Sequence, residues 1–295
     1  MDGRRGLRNL LMRRVYANRD EIASLDASAY LRIYQLTTLY DFPSDARVGL
    51  NLAFYRVFAI PRIANLLAET GEILGRPAKR AYDTGLVMYE LITNGFEHAR
   101  GREMVRLLNR VHRPWPILDE DYQYVIAAFT IVPMRWIDRR GWRTLLPAER
   151  EASAKFYHEL GRRMRIPDLP ETYHEAEVVL DAYERKHMAA SDAGRRLMDT
   201  TQQLVVRKLP TPLRRLGPVV ASSLLDEPTL ADALGLPRPP LGATAAIKSA
   251  YGARNALIRL KKPATAPWFT PGQPVSTVYP HGYRLADLGP DAGSD

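Results

Sequence analysis

The sequence predicts an all-α protein, built as a single multi-helix globular domain with an irregular C-terminal tail. Three observations lead to this prediction. Apolar residues recur at helical spacing over most of the chain, alternating strand patterns are scarce, and prolines and glycines fall where helices would begin or end. With 295 residues, the chain is long enough to bury a large core, and no repeat or linker divides it.

Signals for helix ends divide the chain into successive segments. Pro77 and Pro147 suit the first turn of a helix, and Asn94-Gly95 is a favoured stop. Helices are predicted over residues 26–40, 45–70 with a break at Pro61, 77–94, 100–113, 119–140 with Pro133 inside, 147–165, 171–188 and 190–208.

Beyond residue 208, dense prolines and glycines predict shorter helices. Residues 261–295 are expected to form an irregular tail that wraps the body. The predicted organisation is therefore a basic N-terminal extension over 1–25, one helical domain over 26–290 and a disordered tail over 291–295.

Cysteine is absent from the sequence. This excludes disulfides, zinc sites built on thiolates, iron–sulfur clusters and a haem held by a thiolate. Any metal would have to be bound by histidine, carboxylate or tyrosine side chains.

The formal net charge of +9 raises the question of an anionic partner. Neither of the two basic regions carries the interleaved aromatic residues of a single-strand nucleic-acid binder, so we expect no nucleic-acid partner. Leucines at helical spacing in the first region would allow weak peripheral contact with an anionic membrane, although a solvated terminus is the simpler alternative. The two regions are the segment 207–215 and the N-terminal run Arg4, Arg5, Arg8, Arg13 and Arg14.

Targeting and membrane signals are lacking in the sequence. The N-terminus has no apolar region of the kind found in signal peptides. The longest dense apolar run, residues 124–134, is about half the length needed to cross a bilayer. We therefore expect a cytoplasmic location, with membrane contact only at the periphery.

Arg80, Thr84 and His112 form the most informative candidate site. Arg80 and Thr84 are four residues apart and project from one face of the third predicted helix, while His112 flanks the apolar stripe of the fourth. The turn between these helices centres near His98, so an antiparallel hairpin brings Thr84 and His112 to the same height. An arginine, a hydroxyl and an imidazole would then meet at one level, and helical bundles place cofactor sites on facing helices in this way.

The same residues also have an ordinary structural interpretation. Arg80 could belong to a charged first turn, Thr84 could bond to a backbone carbonyl, and His112 could be a satisfied core residue. The pattern alone leaves both interpretations open.

Two copies of Glu-x-x-His, at Glu171–His174 and Glu184–His187, match the spacing used by di-iron carboxylate bundles. Both copies are predicted on one continuous helix, where equivalent positions thirteen residues apart are separated by about 20 Å. A di-iron centre needs the two motifs on facing helices, so surface charges are the favoured interpretation.

A series of short motifs extends over nearly the whole chain, between Tyr30 and Pro290. The motifs are Phe58-Ala59-Ile60-Pro61-Arg62-Ile63-Ala64, Thr70-Gly71-Glu72, Arg80-Ala81-Tyr82-Asp83-Thr84, Asn109-Arg110-Val111-His112, Pro133-Met134-Arg135-Trp136-Ile137, Gly141-Trp142-Arg143 and Tyr279-Pro280-His281-Gly282-Tyr283. In order and spacing they resemble the MpaB-type oxygenase family, which shares a catalytic domain with the latex-clearing rubber oxygenases. The resemblance makes residues 26–290 an oxygenase-like domain.

This resemblance implies a globin-like helical core that holds haem b, with O2 as co-substrate. It implies His112 as the axial iron ligand, with Arg80 and Thr84 binding the haem and shaping the catalytic pocket. Glu72 is a candidate acid–base group. Gly85, next to Thr84, would allow a flat cofactor to approach closely. Directly packed helices lie about 8–10 Å apart, so a haem between the third and fourth helices would require them to splay.

The chain departs from the rubber oxygenases at two places. Asp83 stands where they carry a lysine that can occupy the distal iron position. Their proposed catalytic glutamate lies farther upstream of the arginine than Glu69 or Glu72 does.

The expected function is a haem-dependent oxygenase that acts with O2 on a small hydrophobic substrate. An alkene, an isoprenoid or another lipid-like molecule, cleaved oxidatively at C=C, is the substrate that the resemblance implies. The alternative is a non-catalytic helical protein that binds lipid or sits on a membrane.

Overall fold

The computed structural model describes residues 16–206, 211–225 and 227–290. Within these ranges the protein is helical and has no β-strand, which confirms the all-α, single-domain prediction. The N-terminal run of arginines, residues 207–210 of the second basic segment and the tail 291–295 lie outside the described residues.

Most helices between residues 30 and 206 begin and end close to the predicted boundaries, whereas residues 17–24, predicted as part of an N-terminal extension, form a further helix. The helices are α1 (Ala17–Ser24), α2 (Tyr30–Gln35), α3 (Pro43–Phe58), α4 (Pro61–Glu69), α5 (Glu72–Gly75), α6 (Pro77–Asn94), α7 (Ala99–His112), α8 (Asp119–Arg140), α9 (Pro147–Arg163), α10 (Tyr173–His187), α11 (Asp192–Val206), α12 (Gly217–Leu225), α13 (Pro228–Ala233) and α14 (Leu241–Ile258). A π-helical turn, Leu36–Asp41, continues α2 directly.

The prediction of short helices beyond residue 208 is wrong for α14, which has 18 residues. Gly242 and Gly252 lie inside this helix, and a Cβ at either position would meet no heavy atom within 4 Å. A glycine at an exposed helical position weakens the helix but does not end it.

Helix α8 is the centre of the domain. Helices α3, α9 and α10 pack along it, and the buried side chains form two hydrophobic clusters to which its different faces contribute. The crossing with α3 is close because Gly49 lies against Pro133: a Cβ on Gly49 would come within 2.4 Å of the Pro133 Cα. The backbone remains helical through Pro133, although proline supplies no amide hydrogen there.

The segment after α14, residues 261–290, is irregular and wraps the domain, as predicted for the tail. The hydroxyl of Tyr279 donates to Asp83 at 2.5 Å, and that of Tyr283 donates to Glu90 at 2.6 Å. Both carboxylates are buried and belong to α6. The segment is thereby tied to the helix that carries the predicted site.

No helix among the described residues combines the length and the apolar character that crossing a bilayer requires.

Candidate functional site

Helices α6 and α7 form the antiparallel hairpin predicted from residue spacing. Gly95 ends α6 with φ +70°, a value that glycine adopts without steric cost. His98 then caps α7, since its side chain accepts a hydrogen bond from the Arg100 amide. The two helices pack directly against each other, and directly packed helices leave no room for a macrocycle between them.

Arg80 and Thr84 meet on one face of α6. The Arg80 guanidinium donates to the Thr84 hydroxyl oxygen, and that hydroxyl donates to the Arg80 carbonyl at 2.9 Å. Burial lowers the pKa of Arg80, although the negative charges of Asp83 and Glu72 act in the opposite direction. Among the described residues, no carboxylate forms an ion pair with this guanidinium.

The imidazole of His112 is held in one orientation. Its Nδ1 lies 2.7 Å from the carbonyl oxygen of Leu108. A carbonyl can only accept, so Nδ1 carries the hydrogen in the neutral ring and Nε2 keeps its lone pair. Nε2 makes no hydrogen bond with a described residue, and the ring of Tyr122 lies 5.9 Å away, centroid to centroid.

The surroundings of His112 lower its pKa and so favour the neutral ring. Burial lowers its pKa from the usual 6.5, the Leu108 carbonyl raises it, and the positive charge of Arg80 lowers it further. The effect of Arg80 shows that the hairpin brings the guanidinium and the imidazole into one electrostatic neighbourhood. The neutral ring is the form that binds metals.

Open space lies beside Gly85. A Cβ at this position would meet no heavy atom within 4 Å, although the residue is half-buried. Because α6 and α7 are in direct contact, a flat cofactor would have to lie beside the hairpin, where Gly85 leaves the surface of α6 without a side chain.

The carboxylates of Glu72 and Asp83 have partners of their own. Glu72 begins α5 and forms an ion pair with Arg76 at 2.6 Å. Asp83 accepts from Lys79 at 2.8 Å and from Tyr279 at 2.5 Å. The Asp83 carboxylate is thus turned toward the C-terminal segment, although it stands where the rubber oxygenases carry a lysine.

The residues present fit the haem that the resemblance implies. An imidazole with a free Nε2 suits a ligand to haem iron, and a half-buried guanidinium without a carboxylate partner suits a propionate. The open surface at Gly85 leaves room for the edge of a flat ring.

The two Glu-x-x-His copies lie along α10, with Glu171 just before its first residue. They belong to one helix and cannot face each other across a metal centre. The His174 side chain is 83% exposed. No group of three or more histidine, aspartate or glutamate side chains suited to a metal ion occurs in the described ranges.

Sequence reasoning missed the groups that hold the site in place. The sequence could have indicated the Leu108 carbonyl as a partner of His112, because the two residues are four positions apart, about one helical turn. Tyr122 and Tyr279 reach the hairpin from α8 and from the C-terminal segment. No local pattern indicates contacts of that kind.

Comparison with known proteins gives the family. Residues 46–256 match the family described as "ER-bound oxygenase mpaB/B'/Rubber oxygenase, catalytic domain". The ER-bound oxygenase mpaB' of Penicillium brevicompactum is 27% identical over 268 residues, which cover 84% of this chain and 63% of the relative. The ER-bound oxygenase mpaB of Penicillium roqueforti is 25% identical over 242 residues, which cover 76% of this chain and 81% of the relative.

The match spans 63% of the length of the first of these relatives. The family predicted from the motifs is confirmed, since the match takes in most of the chain. The protein therefore belongs to the catalytic-domain family of the ER-bound oxygenases mpaB/B' and the rubber oxygenases, a family of oxidoreductases.

Proposed function

We propose that this chain is a haem-b-dependent oxygenase that acts with O2 on a small hydrophobic substrate. One observation carries the proposal: the His112 imidazole is oriented by the Leu108 carbonyl, and its Nε2 makes no hydrogen bond with a described residue and is free for iron. The family supports oxygenase chemistry. The name rubber oxygenase supports a substrate that contains C=C bonds, so we propose oxidative cleavage of an alkene, an isoprenoid or another lipid-like molecule.

His112 would hold the iron of bound haem through its Nε2. The hydrogen bond from Nδ1 to the Leu108 carbonyl fixes the tautomer and the ring orientation, and it makes Nε2 more basic. Bound haem would supply the activation of O2.

Arg80 would bind the propionate of the cofactor through charge-assisted hydrogen bonds. Its guanidinium is held by the Thr84 hydroxyl, so it is already oriented before the carboxylate arrives. A bound propionate would pair directly with this half-buried cation, which no described carboxylate does.

Glu72 is proposed as the group that holds or moves a proton during turnover. Its carboxylate is paired with Arg76, and its charge acts on Arg80. The carboxylate therefore belongs to the same charged neighbourhood as the proposed haem-binding residues.

The absorption spectrum of the purified protein, with and without added haemin, tests the proposal. We expect a Soret band in the wild type and its loss in His112→Ala, because the Nε2 ligand is removed. Imidazole added to His112→Gly should restore part of the band by occupying the vacated position.

His158→Ala is the matched control, since His158 also has its Nδ1 on a backbone carbonyl, that of Pro170 at 3.1 Å. This variant should keep the Soret band. A band that persists unchanged in His112→Ala would contradict the assignment of the ligand. Protein that stays colourless with haemin but binds isoprenoid ligands would favour the non-catalytic lipid-binding alternative.

A further inference from the structure

Helix α14 is attached to the domain along one side only. Its half-buried residues recur at helical spacing, and among them Tyr251 packs on Trp136 of α8 at 5.5 Å between ring centroids. Arg254 is bound to Asp45 at 2.7 Å on the same side. The opposite side, which carries mainly alanine, glycine and leucine, is exposed over the whole length of the helix.

Five of the eight large apolar side chains that are exposed in the described residues belong to α12, to α14 or to the residues next to them. Leu241, Leu257 and Leu260 are 92%, 62% and 83% exposed, and α12, which packs beside α14, is flanked by exposed Leu216 and carries exposed Val220. We call these five residues the α12–α14 patch. The other large apolar side chains exposed among the described residues are Leu118, Val178 and Trp268, which lie on separate elements. A concentration of this kind marks an interaction surface more often than scattered exposure does.

Three residues of the patch, Leu241, Leu257 and Leu260, lie within a stretch of sequence that has basic but no acidic residues. From residue 233 to residue 286 there is no aspartate or glutamate. Lys248, Arg259, Lys261 and Lys262 are all exposed in or next to α14, and none forms an ion pair with a described carboxylate. Lys248, Lys261 and Lys262 thus carry positive charges in or next to α14 that are not neutralised locally, while Arg259 donates to the Trp142 carbonyl at 2.9 Å.

We propose that the α12–α14 patch docks on an anionic lipid surface. The leucines would enter the boundary between headgroups and acyl chains, and the three lysines would contact lipid phosphates and carboxylates. An 18-residue helix is about 27 Å long, and a helix of this kind lies in the plane of the surface instead of crossing it. A second copy of the chain fits less well, because pairing two such patches would bring like charges together.

This surface is distinct from the basic N-terminal run, which lies outside the described residues. The proposal also does not depend on haem, since none of the patch residues belongs to the α6–α7 hairpin. The two proposals can therefore fail independently.

The absence of cysteine allows a direct test on the full chain. A single Leu260→Cys variant, labelled with an environment-sensitive fluorophore, is mixed with phosphatidylcholine vesicles that contain about one third phosphatidylserine. We expect a blue shift with these vesicles and a much smaller shift with pure phosphatidylcholine. Leu118→Cys, labelled in the same way, is the matched control and should show no shift.

Vesicle sedimentation measures the contribution of charge. The pair Lys261→Glu and Lys262→Glu should weaken binding by at least about 25-fold, since each basic residue near the surface contributes about fivefold. The pair Lys155→Glu and Lys186→Glu, on other helices, should leave binding close to the wild type. All four positions are exposed, and circular dichroism will show whether the helices persist.

Three results would overturn the proposal. The first is an absence of binding to anionic vesicles. The second is binding that the 261/262 reversal leaves unchanged, which would assign it to another surface such as the N-terminal run. The third is a wild-type dimer in sedimentation velocity that Leu260→Ser dissociates, together with no fluorophore shift, which would identify the occupant as a second copy.

Discussion

At the scale of single residues, Arg80 is the feature that distinguishes a binding site from ordinary packing. Arg254 and Arg143, by contrast, form ion pairs with buried carboxylates, those of Asp45 and Glu149. Arg80 is half-buried, and desolvation lowers its pKa, yet in the described ranges only Thr84 binds its guanidinium. A desolvated charge without a counter-ion opposes folding. The presence of Arg80 is therefore better explained by a ligand that it binds than by a contribution to the stability of the fold.

Replacing this cation should separate stability from binding. In Arg80→Met, we expect the free energy of unfolding of the cofactor-free protein to rise by about 1–3 kcal/mol, because an unpaired buried charge is removed. Haemin binding should weaken by about 10–100-fold, because the charge-assisted bonds to the propionate are lost. Urea unfolding and haemin titration measure the two quantities.

Arg254→Met is the control for the Arg80 variant. It leaves Asp45, whose side chain is 1% exposed, without its cation, so it should destabilise the domain. A destabilised Arg80→Met with unchanged haemin affinity would mean that Arg80 has a structural role only.

At the scale of elements, α6 carries a glycine at a position where helix stability alone would favour alanine. Gly85 lies in the middle of an 18-residue helix, and the space beside its Cα is open. Glycine in a helix interior is less stable than alanine by about 0.5–1 kcal/mol. This loss of helix stability, next to Thr84, is consistent with a surface of α6 that carries no side chain and leaves room for a ligand.

Side chains introduced at Gly85 should therefore stabilise the helix and obstruct the cofactor. Gly85→Ala should raise the free energy of unfolding by about 0.5–1 kcal/mol, because its Cβ meets nothing. Gly85→Leu should lower haemin affinity about tenfold or more, since its side chain occupies the open space. Thermal unfolding and Soret titration provide the measurements.

The matched control is Gly252→Leu in α14. There too an added Cβ meets nothing within 4 Å, but the position is remote from the hairpin. It should gain helix stability without any change in haemin affinity. If Gly85→Leu binds haemin as tightly as Gly252→Leu does, the cofactor does not lie against Gly85.

At the scale of the whole molecule, the C-terminal segment holds the site helix from outside. Asp83 is 4% exposed and accepts from Tyr279 and Lys79 and from the backbone amide of Gly289. Glu90, fully buried, accepts in the same way from Tyr283. Residues almost two hundred positions apart are therefore joined, and the long-range contacts stabilise α6.

Removing one donor from Asp83 tests this connection. Tyr279→Phe should lower the free energy of unfolding by about 1–3 kcal/mol, because a buried carboxylate loses a hydrogen bond. Tyr55→Phe is the control: the Tyr55 hydroxyl makes no hydrogen bond with a described residue, so this change should be close to neutral. Equal stability of the two variants in urea unfolding would mean that the segment does not stabilise α6.

The sequence alone determined most helices and the existence of the hairpin. Pro77, Gly95 and Pro147 marked true helix ends, since proline and glycine act through backbone dihedrals that do not depend on distant residues. Equal spacing from His98 was enough to predict that Thr84 and His112 lie at one height, with Arg80 one helical turn from Thr84. The rule that dense glycines shorten helices failed at α14. Gly242 and Gly252 occupy exposed helical positions, where glycine weakens a helix without ending it.

Only the tertiary structure decided how the side chains in this neighbourhood are used. Three features depend on which atoms packing brings within a few ångströms. Nε2 of His112 is free, Arg80 has no counter-ion, and the Asp83 carboxylate is oriented toward Tyr279. The same holds for the one-sided attachment of α14. Periodicity tells which face of a helix is apolar, but whether that face is covered depends on elements far away in the chain, and folding alone brings them together.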